Sequence, residues 1–164
     1  LGTDFAAPAA AERPEARALL ASGRPYFVSI GTIEPRKNHL LLLHLWRRFA
    51  EEGRAPLLVL IGRRGWENEM VLDMLDRCAA IAPHVLEFGD LGDGDARALL
   101  AGARALLFPS FAEGLGLPLL EAAALGAPAV VSDLPVFREI APEGTLFLDP
   151  IDGPAWRDAI LDRA

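Results

Sequence analysis

The sequence contains one cysteine, Cys78, so no internal disulfide can form, and a reducing, cytoplasmic setting is the expectation. It has no apolar run of the roughly 18 residues that a membrane-spanning helix requires. Leu1–Pro8 carries neither the basic region nor the cleavage site of a secretory signal. Basic charge is in short supply. Lys and Arg number 16 against 23 Asp and Glu, for a net charge of −7. That balance excludes a broad nucleic-acid face, although a pocket for a small anion needs only local charge. His39, His44 and His84 lack metal-ligand spacing and no second cysteine joins Cys78, so no structural metal is expected. A G-x-G-x-x-G is missing after the first apolar run, where Gly31-Thr-Ile-Glu-Pro stands instead. This speaks against a dinucleotide-binding domain.

The 164 residues amount to about one domain, and 52% hydrophobic content is enough for a core of ordinary size. Residues 1–23 are rich in Ala, Pro and charge and read as an interdomain linker with a short helix at Pro14–Ala21. Residues 24–164 then read as one binding domain. Short continuous apolar runs predict strands at Tyr26–Ile30, Leu57–Ile61, Val85–Phe88, Ala105–Phe108, Ala129–Ser132 and Leu146–Leu148. Amphipathic stretches predict helices at Asn38–Glu52, Glu67–Ala82, Asp95–Ala103, Leu117–Leu125, Pro135–Ile140 and Ala155–Arg163. Asn38 and Asp95 read as helix caps, Gly53 and Gly126 as helix stops, and Pro118 and Pro135 as first-turn residues. Trp46 and Trp156 read as packing residues, whereas Trp66 follows a strand and is a candidate to line the cleft. The alternation of strand and helix specifies an α/β fold: a doubly wound, Rossmann-like parallel sheet of about six strands with helices on both faces. Ligands of such sheets bind at the carboxyl ends of the strands.

Two loops at those ends have chemical character. Gly31-Thr-Ile-Glu-Pro-Arg-Lys-Asn38 leaves a strand and opens a helix. Gly31 permits close approach of a ligand, the helix start offers free N–H groups, and Arg36 and Lys37 add charge, a combination suited to a diphosphate. The same pair could also be an ordinary solvated surface pair. Pro109-Ser-Phe-Ala-Glu113-Gly-Leu-Gly-Leu-Pro-Leu-Leu-Glu121 also leaves a strand and opens a helix. Its two glutamates are separated by seven residues, and a carboxylate can accept from both hydroxyls of a diol. Glu121 sits among Leu119, Leu120, Ala122 and Ala123, where an unpaired charge is costly.

The second loop resembles the E-x7-E signature of retaining glycosyltransferase family four (glycosyl transferases group 1). The first loop is similar to that family's diphosphate loop, and Gly89-Asp90-Leu91 is similar to its base-binding segment. Val130-Val131-Ser132-Asp133 and Leu146–Pro150 are similar to its closing strands. The resemblance runs from about Pro25 to the end. It implies the carboxyl-terminal, donor-binding half of a GT-B enzyme, which takes a hexose from a nucleoside-diphosphate sugar without a metal or other cofactor. An acceptor in bacterial polysaccharide or glycolipid assembly goes with it.

By that resemblance Lys37 neutralises the diphosphate, with Arg36 assisting, and Glu113 holds the transferred sugar. Glu121 binds the ribose, Leu91 contacts the base, and the amides of Gly114, Leu115 and Gly116 face the sugar and phosphates. Many relatives carry arginine where this chain has Thr32. Arg36 and Arg63 are the candidates to supply the missing charge. A mannosyltransferase-like subset shares the Gly31–Asn38 pattern, which favours a guanosine-diphosphate sugar. The resemblance further implies an amino-terminal acceptor domain outside this chain, with any membrane association residing there, and no efficient transfer by this piece alone. An epimerase or phosphorylase domain of the same fold, or a non-catalytic binding module, are the other readings.

Overall fold

The computed structural model describes residues 10–164. Residues 1–9, the greater part of the expected linker, lie outside the described residues. In chain order the elements are α1 (Pro14–Ser22), β1 (Tyr26–Ile30), α2 (His39–Glu51), β2 (Leu57–Ile61), α3 (Glu69–Arg77), β3 (Val85–Phe88) and α4 (Asp93–Gly102). They continue with β4 (Leu106–Phe108), α5 (Leu117–Leu125), β5 (Ala129–Ser132), α6 (Pro135–Ile140), β6 (Leu146–Leu148) and α7 (Gly153–Arg163). Short 3-10 turns occupy Pro35–Lys37 and Ala82–His84.

The six strands form one parallel sheet in the order β3-β2-β1-β4-β5-β6. The doubly wound, Rossmann-like expectation is thus borne out. Chain direction across the sheet reverses between β1 and β4, so their carboxyl ends open a crevice there. Alternate residues of β1 go to opposite faces. Phe27 packs with Leu42, Trp46 and Phe49 of α2 and Trp156 of α7. Tyr26 and Val28 pack with Ala16 and Leu19 of α1 and Leu99 of α4. A third cluster joins Phe108 and Val131 to Leu119 of α5 and Phe137 of α6. Trp46 meets Phe27 and Phe49 edge-on at ring distances of 6.0 and 5.5 Å, and its indole N–H donates to Pro56 O at 2.8 Å. Trp46 and Trp156 are fully buried, as expected of packing residues, whereas Trp66 is 84% exposed and lies outside the cavities described below.

Several local expectations need correction. Asn38 does not cap α2. It sits in the left-handed region at φ 60° and makes no side-chain cap bond. Asp95 does not cap α4, which starts at Asp93 after Gly92. Its carboxylate instead accepts the backbone N–H of Glu12 at 2.6 Å and of Arg13 at 3.1 Å, satisfying donors at the start of α1. The second expected helix is shorter than its apolar period implied. Glu67 adopts φ 54° before it, and Cys78 turns extended after it. Residues 10–23 pack on the sheet through Ala11, Ala16 and Leu19. No helix among the described residues is long and apolar enough to cross a membrane.

Candidate functional site

Lys37 is the only lysine of the chain; the other fifteen basic residues are arginine. It ends the 3-10 turn after β1, which begins at Pro35 and is closed by the Lys37 N–H to Glu34 O at 3.0 Å. Its ammonium lies 2.5 Å from Glu113 Oε1, although 76 residues separate the two in sequence. Both side chains are nearly out of water, at 10% and 6% exposed. Such a pair holds only if its polar atoms are satisfied. Ser110 Oγ donates to the same Glu113 oxygen at 2.8 Å, and Arg36 Nη1 stands 3.4 Å from the other. The Lys37 ammonium also lies 5.1 Å from the centre of the Phe108 ring.

The backbone holds these two loops together. Phe111 N–H donates to Arg36 O at 2.8 Å. Asn38 Nδ2 donates to Pro109 O and to Pro150 O, each at 3.0 Å. One buried amide therefore joins the segments that follow β1, β4 and β6. A left-handed residue is what aims it there, and asparagine tolerates that conformation better than most. Asn38 thus fixes the backbone directly after Lys37. Arg36 is exposed and tied to Glu34 at 2.7 Å and to Ala112 O at 3.3 Å.

The Lys37 stem crosses Gly31, where an added Cβ would come 3.2 Å from Lys37 Cε. Gly31 in turn borders a cavity of about 330 Å³, which Thr32, Gly62, Leu91, Arg97 and Glu121 also line. Gly62 is needed for this approach. Its φ is 152°, and any Cβ there would collide with the Gly31 carbonyl. Glu121 is half-buried. Burial, and secondarily the charge of Asp93, raise its pKa above the ordinary glutamate value, against the opposing pull of Arg97. A carboxylate in that state gains from hydroxyl donors.

Four of the expected residues, Gly31, Thr32, Leu91 and Glu121, thus line one cavity, and the Lys37 stem against Gly31 links the Lys37–Glu113 pair, with Arg36, to its edge. Gly114 and Leu115 are exposed beside them, Leu115 at 70%. Gly116 is buried at φ 65°, and a Cβ there would press on Phe137 at 2.9 Å. Arg63 is exposed and does not line the cavity; its carbonyl accepts from Ile33 N–H at 2.8 Å. Its neighbour Arg64 is drawn away by Asp76 and Glu87, each at 2.7 Å. Among the described residues no group of three His, Cys, Asp or Glu is placed to hold a metal ion. Arg97, which acts on Glu121 alongside burial and Asp93, carried no motif that would have singled it out. The two cross-loop bonds of Asn38 were likewise invisible in its local sequence.

Residues 12–162 match the model of the family described as "Glycosyl transferases group 1". The chain is 36% identical over 147 residues to the Escherichia coli "Serotype-specific mannosyltransferase WbdA", covering 87% of this chain and 18% of that protein. To the Escherichia coli "O-antigen chain mannosyltransferase B" it is 38% identical over 137 residues, covering 83% of this chain and 36% of that protein. It therefore spans well under half the length of these relatives. The sucrose-phosphate synthase of Thermosynechococcus elongatus superposes with a TM-score of 0.75 at 24% identity, covering 99% of this chain and 41% of that one. Sequence match, sheet order and the gathered loop residues agree: the chain belongs to the glycosyl transferases group 1 family.

Proposed function

We propose that this chain is the donor-binding half of a GT-B glycosyltransferase that moves a hexose from a nucleoside-diphosphate sugar, with retention, to a saccharide acceptor. The observation that carries the reading is the buried Lys37–Glu113 pair, whose lysine stem packs on Gly31, itself part of the lining of the cavity that holds Glu121. The cavity takes the nucleoside, with its ribose diol on Glu121 and its base against Leu91. The diphosphate lies over Gly31 and Thr32, beside Lys37. Glu113 holds hydroxyls of the transferred hexose, next to the amides of Gly114–Gly116.

Charge explains the work of Lys37. Breaking the bond to the sugar leaves negative charge on the diphosphate, and a fixed ammonium in a partly dry site stabilises that charge as it develops. At rest Glu113 balances the ammonium. An incoming diphosphate competes for Lys37, which frees Glu113 to accept sugar hydroxyls. This exchange needs neither a metal nor an enzyme nucleophile.

Similarity to two mannosyltransferases favours mannose as the sugar, and the Gly31–Asn38 loop pattern favours guanosine diphosphate as its carrier. The acceptor-binding half then belongs to a separate amino-terminal domain. Calorimetric titration of the 164-residue chain with GDP, UDP and their hexose conjugates tests the reading. GDP-mannose should bind with or without EDTA. Lys37→Ala and Glu121→Ala should each weaken it about tenfold or more. Wild-type affinity in both variants would end the assignment.

A further inference from the structure

A second cavity of about 330 Å³ is lined by other residues of the same two loops, Glu34, Pro35 and Asn38 from the first and Phe111 from the second. Its wall is mostly apolar, from Pro35, Leu40, Met70 and Phe111. Met70 is 66% and Phe111 47% exposed, so both present uncovered surface. Three carboxylates, Glu34, Glu67 and Glu69, stand around it. His39 completes the lining. It is 3% exposed, yet its Nδ1 has no hydrogen-bond partner among the described residues. Burial first, and the charge of Lys37 second, lower the His39 pKa to about 4 against a weaker opposing pull from Glu87, so the ring adds no charge to the lining.

The chemistry of this lining selects its ligand. Three carboxylates repel phosphates and nucleotides. A wholly apolar ligand would leave the acids desolvated. A neutral pyranose meets each demand. Its C–H face covers Phe111 and Met70, and its hydroxyls donate to carboxylates.

Position adds the role. Glu34 is bound by Arg36 at 2.7 Å, and the same guanidinium reaches Glu113 at 3.4 Å. Phe111 N–H is bonded to Arg36 O at 2.8 Å. A ring resting on Phe111 is therefore next to the carboxylate that holds the transferred hexose in the reading above. Sugar transfer needs that proximity. We propose that this second cavity seats the terminal sugar of the acceptor, a neutral pyranose, so that the donor-binding domain supplies part of the acceptor site. The inference rests on the donor-site reading.

Amide chemical-shift mapping of the 164-residue chain tests it, with methyl α-D-mannopyranoside as one probe and GDP as the other. The mannoside should move the amides of Leu40, Met70 and Phe111 together with the His39 ring signals. GDP should move those of Gly31, Leu91 and Glu121. Phe111→Ala and, separately, Met70→Ser alter exposed side chains. Each should weaken the mannoside about fivefold or more and leave GDP unchanged. The proposal is overturned if the mannoside moves no amide of this cavity, if it moves only those around Glu121, or if neither variant weakens it. A GDP titration that leaves Gly31, Leu91 and Glu121 unmoved would instead remove the donor-site reading.

Discussion

Glu113 and Glu121 belong to one loop-and-helix segment, yet the protein treats them in opposite ways. Glu113 is almost wholly buried and already neutralised, by Lys37 at 2.5 Å, by the Ser110 hydroxyl at 2.8 Å and by Arg36 at 3.4 Å. Glu121 is half-buried, and there burial and Asp93 outweigh Arg97, so its ionised form is disfavoured. The first carboxylate is held in place by partners that a ligand must displace. The second waits for donors that a ligand brings. Equal spacing on a motif therefore says nothing about equal electrostatic condition. The environment on either side of α5 decides that.

The sharpest way to break this contrast is to remove the cation. Lys37→Ala leaves a carboxylate that is 6% exposed with only the Ser110 hydroxyl and the more distant, exposed Arg36, and should cost about 3 kcal/mol of stability by chemical denaturation. Adding Glu113→Gln to it removes the under-compensated buried charge and should restore most of that loss. GDP affinity should stay low in both. A Lys37→Ala chain as stable as the wild type would mean that the pair is not the closed unit described here. Because Lys37 is the only lysine, acylation of side-chain amines reports on it alone, and GDP should slow that reaction.

The next effect concerns what keeps the pair aimed. Asn38→Gly keeps the left-handed backbone but leaves Pro109 O and Pro150 O without their donor, at a cost of about 2 kcal/mol. Asn38→Ala adds a methyl group at φ 60° and should cost about 1 kcal/mol more. A purely structural role would leave ligand binding alone in the folded protein. A positioning role predicts that both variants weaken GDP, and that Asn38→Asp does not rescue it, since a carboxylate cannot donate to two carbonyls.

How much of this was legible beforehand follows from the range of each interaction. The strands could be read because burial on both faces makes β2 a continuous apolar run and leaves a single serine in each of β1 and β5, a local signal. Glu113, Glu121 and Lys37 could be read because motif and order along the chain singled them out. The role of Asn38 could not, since its two acceptors lie 71 and 112 residues away and local rules offer only a cap. Asp95 misled for the same reason: its partners, Glu12 and Arg13, are more than 80 residues upstream. The early end of α3 was hidden because its apolar period runs on past the point where Cys78 turns extended. A lone lysine among fifteen arginines was a signal within reach, because a compact ammonium suits one carboxylate oxygen where a guanidinium prefers two.

Glu121 offers the smallest effects and the finest test. Glu121→Gln removes a disfavoured charge, so stability at neutral pH should hold or rise slightly, while GDP affinity falls about tenfold as an ionic acceptor becomes a neutral one. The sign with pH follows from a raised folded pKa. The protonated form is the one the fold favours, so the stability it confers is present in acid and is lost as pH climbs through the raised value. Binding runs the other way, because the ribose diol needs the carboxylate. Wild-type affinity for guanosine, which has the diol without the phosphates, should therefore decline on acidification while the pH is still above 4.5, the ordinary glutamate value. Glu121→Gln should flatten that decline. Guanosine isolates the effect, because phosphate titration cannot imitate it. A wild-type curve that is flat down to 4.5 would mean that burial does not disfavour the ionised form of Glu121 and would erase the contrast with Glu113.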